Sequence, residues 1–216
     1  MIVTDIETTG LTGRNGIWQI GCLEFENPSN NFLGECRIDD EDVIDEIALK
    51  LTGKTEKDLR DPNKRSQKTL VREYLDFVEG IKNRVNIGQN IGWDISMIQD
   101  KAIKYGLHDE FLRVINQRTM DLHTIAQEKY FEFNGVYLID EEGRDAMNLS
   151  RTLEMCGMKD DRMNVRGQEI TKQGKIHNGL EDCRLEAECY SRIKLGKILL
   201  QEYIQFEIPK VLRRTK

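Results

Sequence analysis

Two acidic side chains stand two positions apart in the stretch Ile2-Val3-Thr4-Asp5-Ile6-Glu7-Thr8-Thr9-Gly10. The surrounding Ile and Val residues favour a buried strand, which ends at Gly10. Side chains alternate along a strand, so Asp5 and Glu7 share one face, roughly 6.6–6.8 Å apart along the backbone. A buried carboxylate without a partner is costly or shifts its pKa and neutralises. Two of them side by side repel unless a cation lies between. The plain alternative is an edge strand with two solvated acids. The intervening Ile6 and the abrupt Thr-Thr-Gly stop weaken it, and the pair points to a divalent-metal site.

Such a site needs further ligands. Asp94 follows the glycine- and amide-rich run Gly88-Gln89-Asn90-Ile91-Gly92-Trp93. Alone it would read as a helix N-cap, a position where Asp is favoured. Asp182 lies in His177-Asn178-Gly179-Leu180-Glu181-Asp182. With Asn178 as N-cap, His177 stays outside the helix and can turn back over its first turn. Asp182 then projects from that turn beside the apolar face of Leu180, Cys183, Ala187 and Tyr190. A solvated helix acid and an ordinary surface histidine are the bland readings. Beside Asp5 and Glu7 they lose ground.

The elements that must hold these residues follow from periodicity. After the first strand, Ile17 to Phe25 alternates as a second strand, and the turn Asn27-Pro28-Ser29-Asn30 leads to a third over Phe32 to Ile38. Three strands with short turns make an antiparallel meander. Thr55 and Asp58 have capping-box spacing for a short helix. Ser66 caps a helix whose apolar face carries Leu70, Tyr74, Phe77, Val78 and Ile81. Val85 and Ile87 form a short strand, and a helix runs from Asp94 to Gly106. Two more helices start after Asp109 and Asp121. Asn134-Gly135 within Phe131–Leu138 suits a type I′ hairpin turn. Ser150 caps a helix to Met155, a polar loop covers 158–176, and a final helix runs from about Gly179 towards Phe206. Strands first, then alternating helices and strands, indicate a mixed α/β domain.

The 216 residues are 38% hydrophobic and 32% charged, with net charge −6, which suits one folded domain rather than a disordered chain. No apolar run has the length of a membrane span, and no signal peptide is indicated, so a cytoplasmic location is expected. The net charge neither favours nor excludes nucleic acid, because a metal-dependent nuclease is acidic where it holds its cations. Cys22, Cys36, Cys156, Cys183 and Cys189 form no Cys-x-x-Cys pair, so reduced core thiols are expected rather than zinc.

Asp5-x-Glu7-Thr8-Thr9-Gly10, Gly88-x-Asn90-x3-Asp94 and His177-x4-Asp182, in that order, resemble the three motifs of the DEDDh, or DnaQ-like, 3′–5′ exonucleases. Gln19-Ile20-Gly21, Met120-Asp121-Leu122 and Leu149 to Gly157 extend the likeness over most of residues 1–195. The resemblance implies a ribonuclease H-like fold with a five-stranded mixed sheet flanked by helices. It also implies two divalent cations, Mg²⁺ or Mn²⁺. Asp5 would bridge both ions, Glu7 and Asp182 would complete the first, and Asp94 would hold the second, largely through water. Hard oxygen ligands suit these ions better than zinc. His177 would be the general base, since histidine titrates near working pH. Thr8, Thr9, Gly10 and Leu11 match the segment that packs on the terminal nucleotide, with Asn90 and Trp93 as neighbours.

Gln89 and Trp93 depart from the commoner His and Phe of the family without removing a ligand, and Gly179 replaces a commoner Ala, which loosens the helix start slightly. The hairpin near 130–140 and the loop 158–176 exceed the family minimum, and 196–216 would be a C-terminal helical extension of a single exonuclease domain. The loop's Lys159, Arg162, Arg166, Lys172 and Lys175 either close over the substrate or pair with their own acids. In the tail, Lys210, Arg213, Arg214 and Lys216 could touch phosphates, but solvation is the simpler reading; Gln201-x-x-Ile204-x-Phe206 is an amphipathic helix end rather than a sliding-clamp peptide. The expected activity is release of nucleoside 5′-monophosphates from a DNA 3′ end, single-stranded by preference, with a polymerase as a conceivable partner and no membrane. The alternatives are an exoribonuclease of the same family and a silent relative that binds nucleic acid or a polymerase.

Overall fold

The computed structural model describes residues 1–166 and 169–213. The chain runs β1 (Ile2–Thr8), β2 (Ile17–Glu24), β3 (Asn27–Glu35), α1 (Glu46–Thr52), α2 (Glu56–Leu59), α3 (Gln67–Glu79), β4 (Asn86–Gly88) and α4 (Ile91–Tyr105). It continues α5 (His108–Val114), β5 (Thr119–Asp121), α6 (Leu122–Asn134), α7 (Leu149–Met155), β6 (Asn164–Arg166), β7 (Glu169–Lys172) and α8 (Gly179–Leu195). Five strands form one mixed sheet in the order β3-β2-β1-β4-β5, antiparallel in the meander and parallel from β1 to β4 to β5. This is the ribonuclease H-like sheet that the motifs imply.

β1 occupies the centre, and its two faces serve different cores. Ile2 and Ile6 join Ile20 and Cys22 beneath α3, α4 and α5, where Leu70, Tyr74, Ile98 and Phe111 are buried. Val3 joins Leu23 beneath α6, α7 and α8, with Leu122, Leu153, Cys183 and Ala187. Asp5 and Glu7 have the parity of Val3, so they point to the α8 side. The five cysteines are buried free thiols, as expected. Among the described residues no helix is long and apolar enough to cross a membrane.

Several boundaries differ from the sequence reading. The meander's second turn is tighter, so β3 already begins at Asn27. Asn148, not Ser150, caps α7, because its side chain accepts from Arg151 N at 3.0 Å while Ser150 bonds Asp160 instead. No hairpin turns at Asn134-Gly135. α6 continues to Asn134, and Gly135, at φ 71°, closes it in the left-handed conformation with its N–H on Phe131 O. Asn-Gly fits a helix C-cap as well as a type I′ turn, and the helical spacing of Leu122, Ala126 and Tyr130 decides between them. An antiparallel bridge comes later, between Ile139 and Asp145.

α8 stops at Leu195, where Gly196 adopts φ 63°. In place of the expected helical extension over 196–216, the described residues 196–213 carry two short 3₁₀ turns, Gln201–Tyr203 and Lys210–Leu212. Ile204 and Phe206 therefore do not form a helix end. Arg213 pairs with Glu207, whereas Arg214 and Lys216 lie outside the described residues.

Candidate metal centre

The acids meet at the carboxyl end of β1, where the parallel neighbour β4 also ends, the edge at which α/β sheets bind ligands. Asp5 and Glu7 come from β1 itself. Asp94 comes from the first turn of α4, and its Oδ1 accepts the Ile6 backbone N–H at 3.1 Å. That bond pins α4 to β1 between the two strand acids. The chain enters α4 through Asn90, the one non-glycine at positive φ (57°) among the described residues, whose N–H is held by Asp121 Oδ1 at 3.0 Å.

Asp182 arrives on α8. Asn178 caps that helix by accepting Glu181 N, which leaves His177 outside it. Two glycines bring the helix onto the sheet: a Cβ on Gly21 would lie 2.2 Å from the Gly179 carbonyl carbon, and one on Gly179 would lie 2.9 Å from Asp5 O. The glycine at 179, expected to loosen the helix start, is what permits this contact. Gln19 Oε1 accepts Gly179 N at 2.7 Å, so the Gln19-Ile20-Gly21 segment acts as a seat for α8.

Glu7, Asp94 and Asp182 are 8%, 5% and 3% exposed, which makes their charges expensive. Burial pushes the Asp5 carboxyl well above the usual range, with Asp182, Glu186, Asp94 and Glu7 adding repulsion. Glu7 is raised by burial and by Asp182, with partial relief from Arg162. Asp94 is pushed up to about 8, chiefly by burial.

Ligand atoms of Glu7, His177 and Asp182 lie within 4.8 Å of one another, and Asp182 Oδ1 is buried without a hydrogen-bond partner among the described residues. Hard oxygens, an orphaned carboxylate oxygen and surplus negative charge fit a divalent cation of the Mg²⁺ or Mn²⁺ type.

His177 is oriented from both sides. Its Nε2 lies 2.8 Å from Met163 O, and its Nδ1 lies 3.5 Å from Asp182 Oδ2. A carbonyl only accepts, so Nε2 carries a proton and Nδ1 is left facing the acids. His177 also lines a cleft of about 940 Å³ between the β6–β7 hairpin and the 138–151 segment.

Two residues that sequence reasoning did not place here complete the picture. Arg162, read from the sequence as one charge of the polar loop 158–176, is buried; its guanidinium donates to Asp182 Oδ2 at 3.1 Å and to Asp160 Oδ1 at 3.1 Å. Asp160 is in turn held at about 2, because bonds from Ser150 and Arg162 outweigh its burial. Glu186, one turn beyond Asp182, is 1% exposed and raised by burial and by Asp94. Its signal was available as an acid four residues after Asp182 on an apolar helix face.

The residues expected to meet a nucleotide divide. Leu11 is 77% exposed, Asn90 is exposed, and Trp93 Nε1 donates to Leu11 O at 3.4 Å, giving an open apolar and amide surface beside the acids. Thr8 Oγ1 turns to Gly10 O at 2.6 Å. Thr9 faces inward; its hydroxyl donates to Val43 O and accepts Gly16 N, so it shapes the loop rather than the surface. A Cβ on Gly10 would collide with Asp45 and Asn15, so glycine is required for the same loop.

Comparison with known proteins agrees with this fold. A segment of 108 residues is 34% identical to the PolC-type DNA polymerase III of Caldanaerobacter subterraneus subsp. tengcongensis, covering 49% of this chain and 7% of the polymerase. A product-bound exonuclease I superposes with a TM-score of 0.66 at 14% identity, over 90% of this chain and 43% of that one. E. coli exonuclease I in complex with an oligonucleotide gives 0.62 at 14% identity, over 88% and 40%. At such identities the structural likeness is one of fold, and the chain spans less than half the length of each of these proteins. The RNase T exonuclease model matches residues 2–190, and the chain belongs to that exonuclease family.

Proposed function

We propose that the protein is a metal-dependent 3′–5′ exonuclease that releases nucleoside 5′-monophosphates from the 3′ end of DNA, single-stranded by preference. One observation carries this reading: Asp5, Glu7, Asp94 and Asp182 converge with His177 at one end of β1 while their buried charges meet only one cation, Arg162, among the described residues. Asp5, Glu7, Asp94 and Asp182 would together hold two Mg²⁺ or Mn²⁺ ions. Bound divalent ions would stabilise the attacking and leaving oxygens of the phosphodiester together.

The protein's own groups do the rest. His177 takes the proton of the attacking water on Nδ1, because Nε2 is committed to Met163 O. Asp182 Oδ2 steadies the imidazolium that results. Leu11 and Trp93 receive the terminal base, and Asn90 offers an amide beside them. A DNA substrate is supported by the Thr8-Thr9-Gly10-Leu11 form of the first motif and by the likeness to a DNA polymerase. The same likeness supports a polymerase as partner, and a cytoplasmic site of action follows from such work.

The test is incubation of 5′-end-labelled single-stranded DNA and RNA of one sequence with protein and Mg²⁺. A ladder shortening from the 3′ end of DNA is expected. Shortening of RNA alone would transfer the reading to an exoribonuclease, and an intact substrate in both lanes would defeat it.

A further inference from the structure

α8 buries three carboxylates, and they are treated differently. Glu188 is fully partnered: Oε1 accepts from Arg192 Nε at 2.7 Å, and Oε2 accepts from Leu199 N and Leu200 N, each at 2.9 Å. Glu186, one turn beyond Asp182, shares the face of that residue. Its Oε1 accepts Gln89 N at 3.1 Å, but Oε2, equally buried, has no partner among the described residues. Its charge adds to the raising of the Asp5 carboxyl, and those of Asp94 and Asp182 add to its own, so Glu186 stands near the acids of the site.

Holding Gln89 N–H needs only a neutral acceptor. A carboxylate with a free oxygen among four other acids adds repulsion and desolvation that the Gln89 bond alone does not offset.

We propose that Glu186 is a fifth carboxylate of the metal centre, offering Oε2 to a bound divalent ion or to one of its water ligands. This rests on the metal-dependent reading above. Its effect is on ion affinity, with Gln89 N–H as the anchor that aims the side chain.

The test is Mn²⁺ titration, followed by the loss of the free-ion electron paramagnetic resonance signal, of the wild type, Glu186→Gln and Asp5→Asn. Glu186→Gln keeps an acceptor for Gln89 N–H and removes the charge. Its affinity for at least one ion should fall about 10- to 100-fold, while its metal-free melting temperature stays equal or rises. Unchanged Mn²⁺ affinity in Glu186→Gln, with the wild type binding and Asp5→Asn impaired, would overturn this proposal alone and make Glu186 a mere anchor of Gln89. Failure of Glu186→Gln to fold without metal would also overturn it, since a repulsive charge should not be needed for folding. Absence of Mn²⁺ binding by the wild type would overturn the metal-dependent reading itself.

Discussion

The protein buries acids in three places and handles them in two opposite ways. On the α4 side, Asp42 is matched by Lys101 at 2.9 Å and by the Gln67 amide, with both charged side chains 3% exposed. Glu188 and Arg192, fully enclosed, do the same between α8 and the segment that follows it. At the end of β1 the acids outnumber their cations, and oxygens of Asp182 and Glu186 stay unpartnered among the described residues. Compensated pairs hold elements together, whereas an uncompensated cluster costs stability and persists where something else supplies the charge. Paired acids should therefore govern folding, and cluster acids activity.

The sharpest way to break this division is Asp5→Asn, which removes charge without changing shape. Mg²⁺-dependent cleavage should fall on the order of 10³-fold or more, the scale of losing a preorganised electrostatic stabiliser. The metal-free melting temperature should hold or rise. Near-normal cleavage by a folded Asp5→Asn protein would abolish the bridging role. His177→Ala should lose about 10²- to 10⁴-fold in rate, the usual contribution of a general base. Mn²⁺ binding by this variant should survive, which the same titration measures.

The opposite half of the comparison is tested by Glu188→Gln. Leaving Arg192 buried without its charge partner should cost about 3–5 kcal/mol, or roughly 6–20 °C in melting temperature for a chain of this size. Cleavage per folded molecule should not change. A stable variant would mean that the pair is not structural.

The pH dependence of stability follows from the raised carboxyls. Asp94 titrates at about 8, and Asp5, Glu7 and Glu186 are also raised by burial and mutual repulsion. In the unfolded chain such groups titrate near pH ~4. Between these values the folded state holds more protons on these groups, so their contribution to metal-free stability is full below pH ~4 and falls as pH rises towards about 8. A loss of ~2 kcal/mol would lower the melting temperature by about 4–8 °C. Thermal scans across this window should show the fall, and saturating Mg²⁺ should remove it.

The smallest effect is expected from Arg162→Gln. Removing a cation held on Asp182 should tighten Mn²⁺ by about 5-fold, the equivalent of ~1 kcal/mol of relieved repulsion. Weaker binding would show that the guanidinium supports the site instead.

The four acids and His177 were legible because their chemistry is odd in its setting: carboxylates on a buried strand and beside glycine-rich turns. The meander and most helices were legible from periods of two and 3.6. What escaped depends on contacts between distant segments. Arg162 reads as one more charge in a polar loop until the β6–β7 hairpin folds it onto Asp182. Of the charges in the 158–176 loop, Lys159 pairs with Asp161 and Lys172 with Asp160 O, which favours pairing within the protein over closing on the substrate; the side chain of Arg166 lies outside the described residues. Asn134-Gly135 misled because one dipeptide serves both a turn and a helix cap. Gly179 looked like a weakness until Gly21 was seen opposite it.

The most direct test of the central claim, that the acid cluster is completed by divalent cations, is calorimetric titration of Mn²⁺ into the wild type at pH 7 in two buffers of different ionisation enthalpy. Protons held on Asp94 and its neighbours must leave when ions bind. The account predicts about two ions per chain, with an apparent enthalpy that differs between buffers by the protons released. No binding, or binding with no proton release, would contradict it.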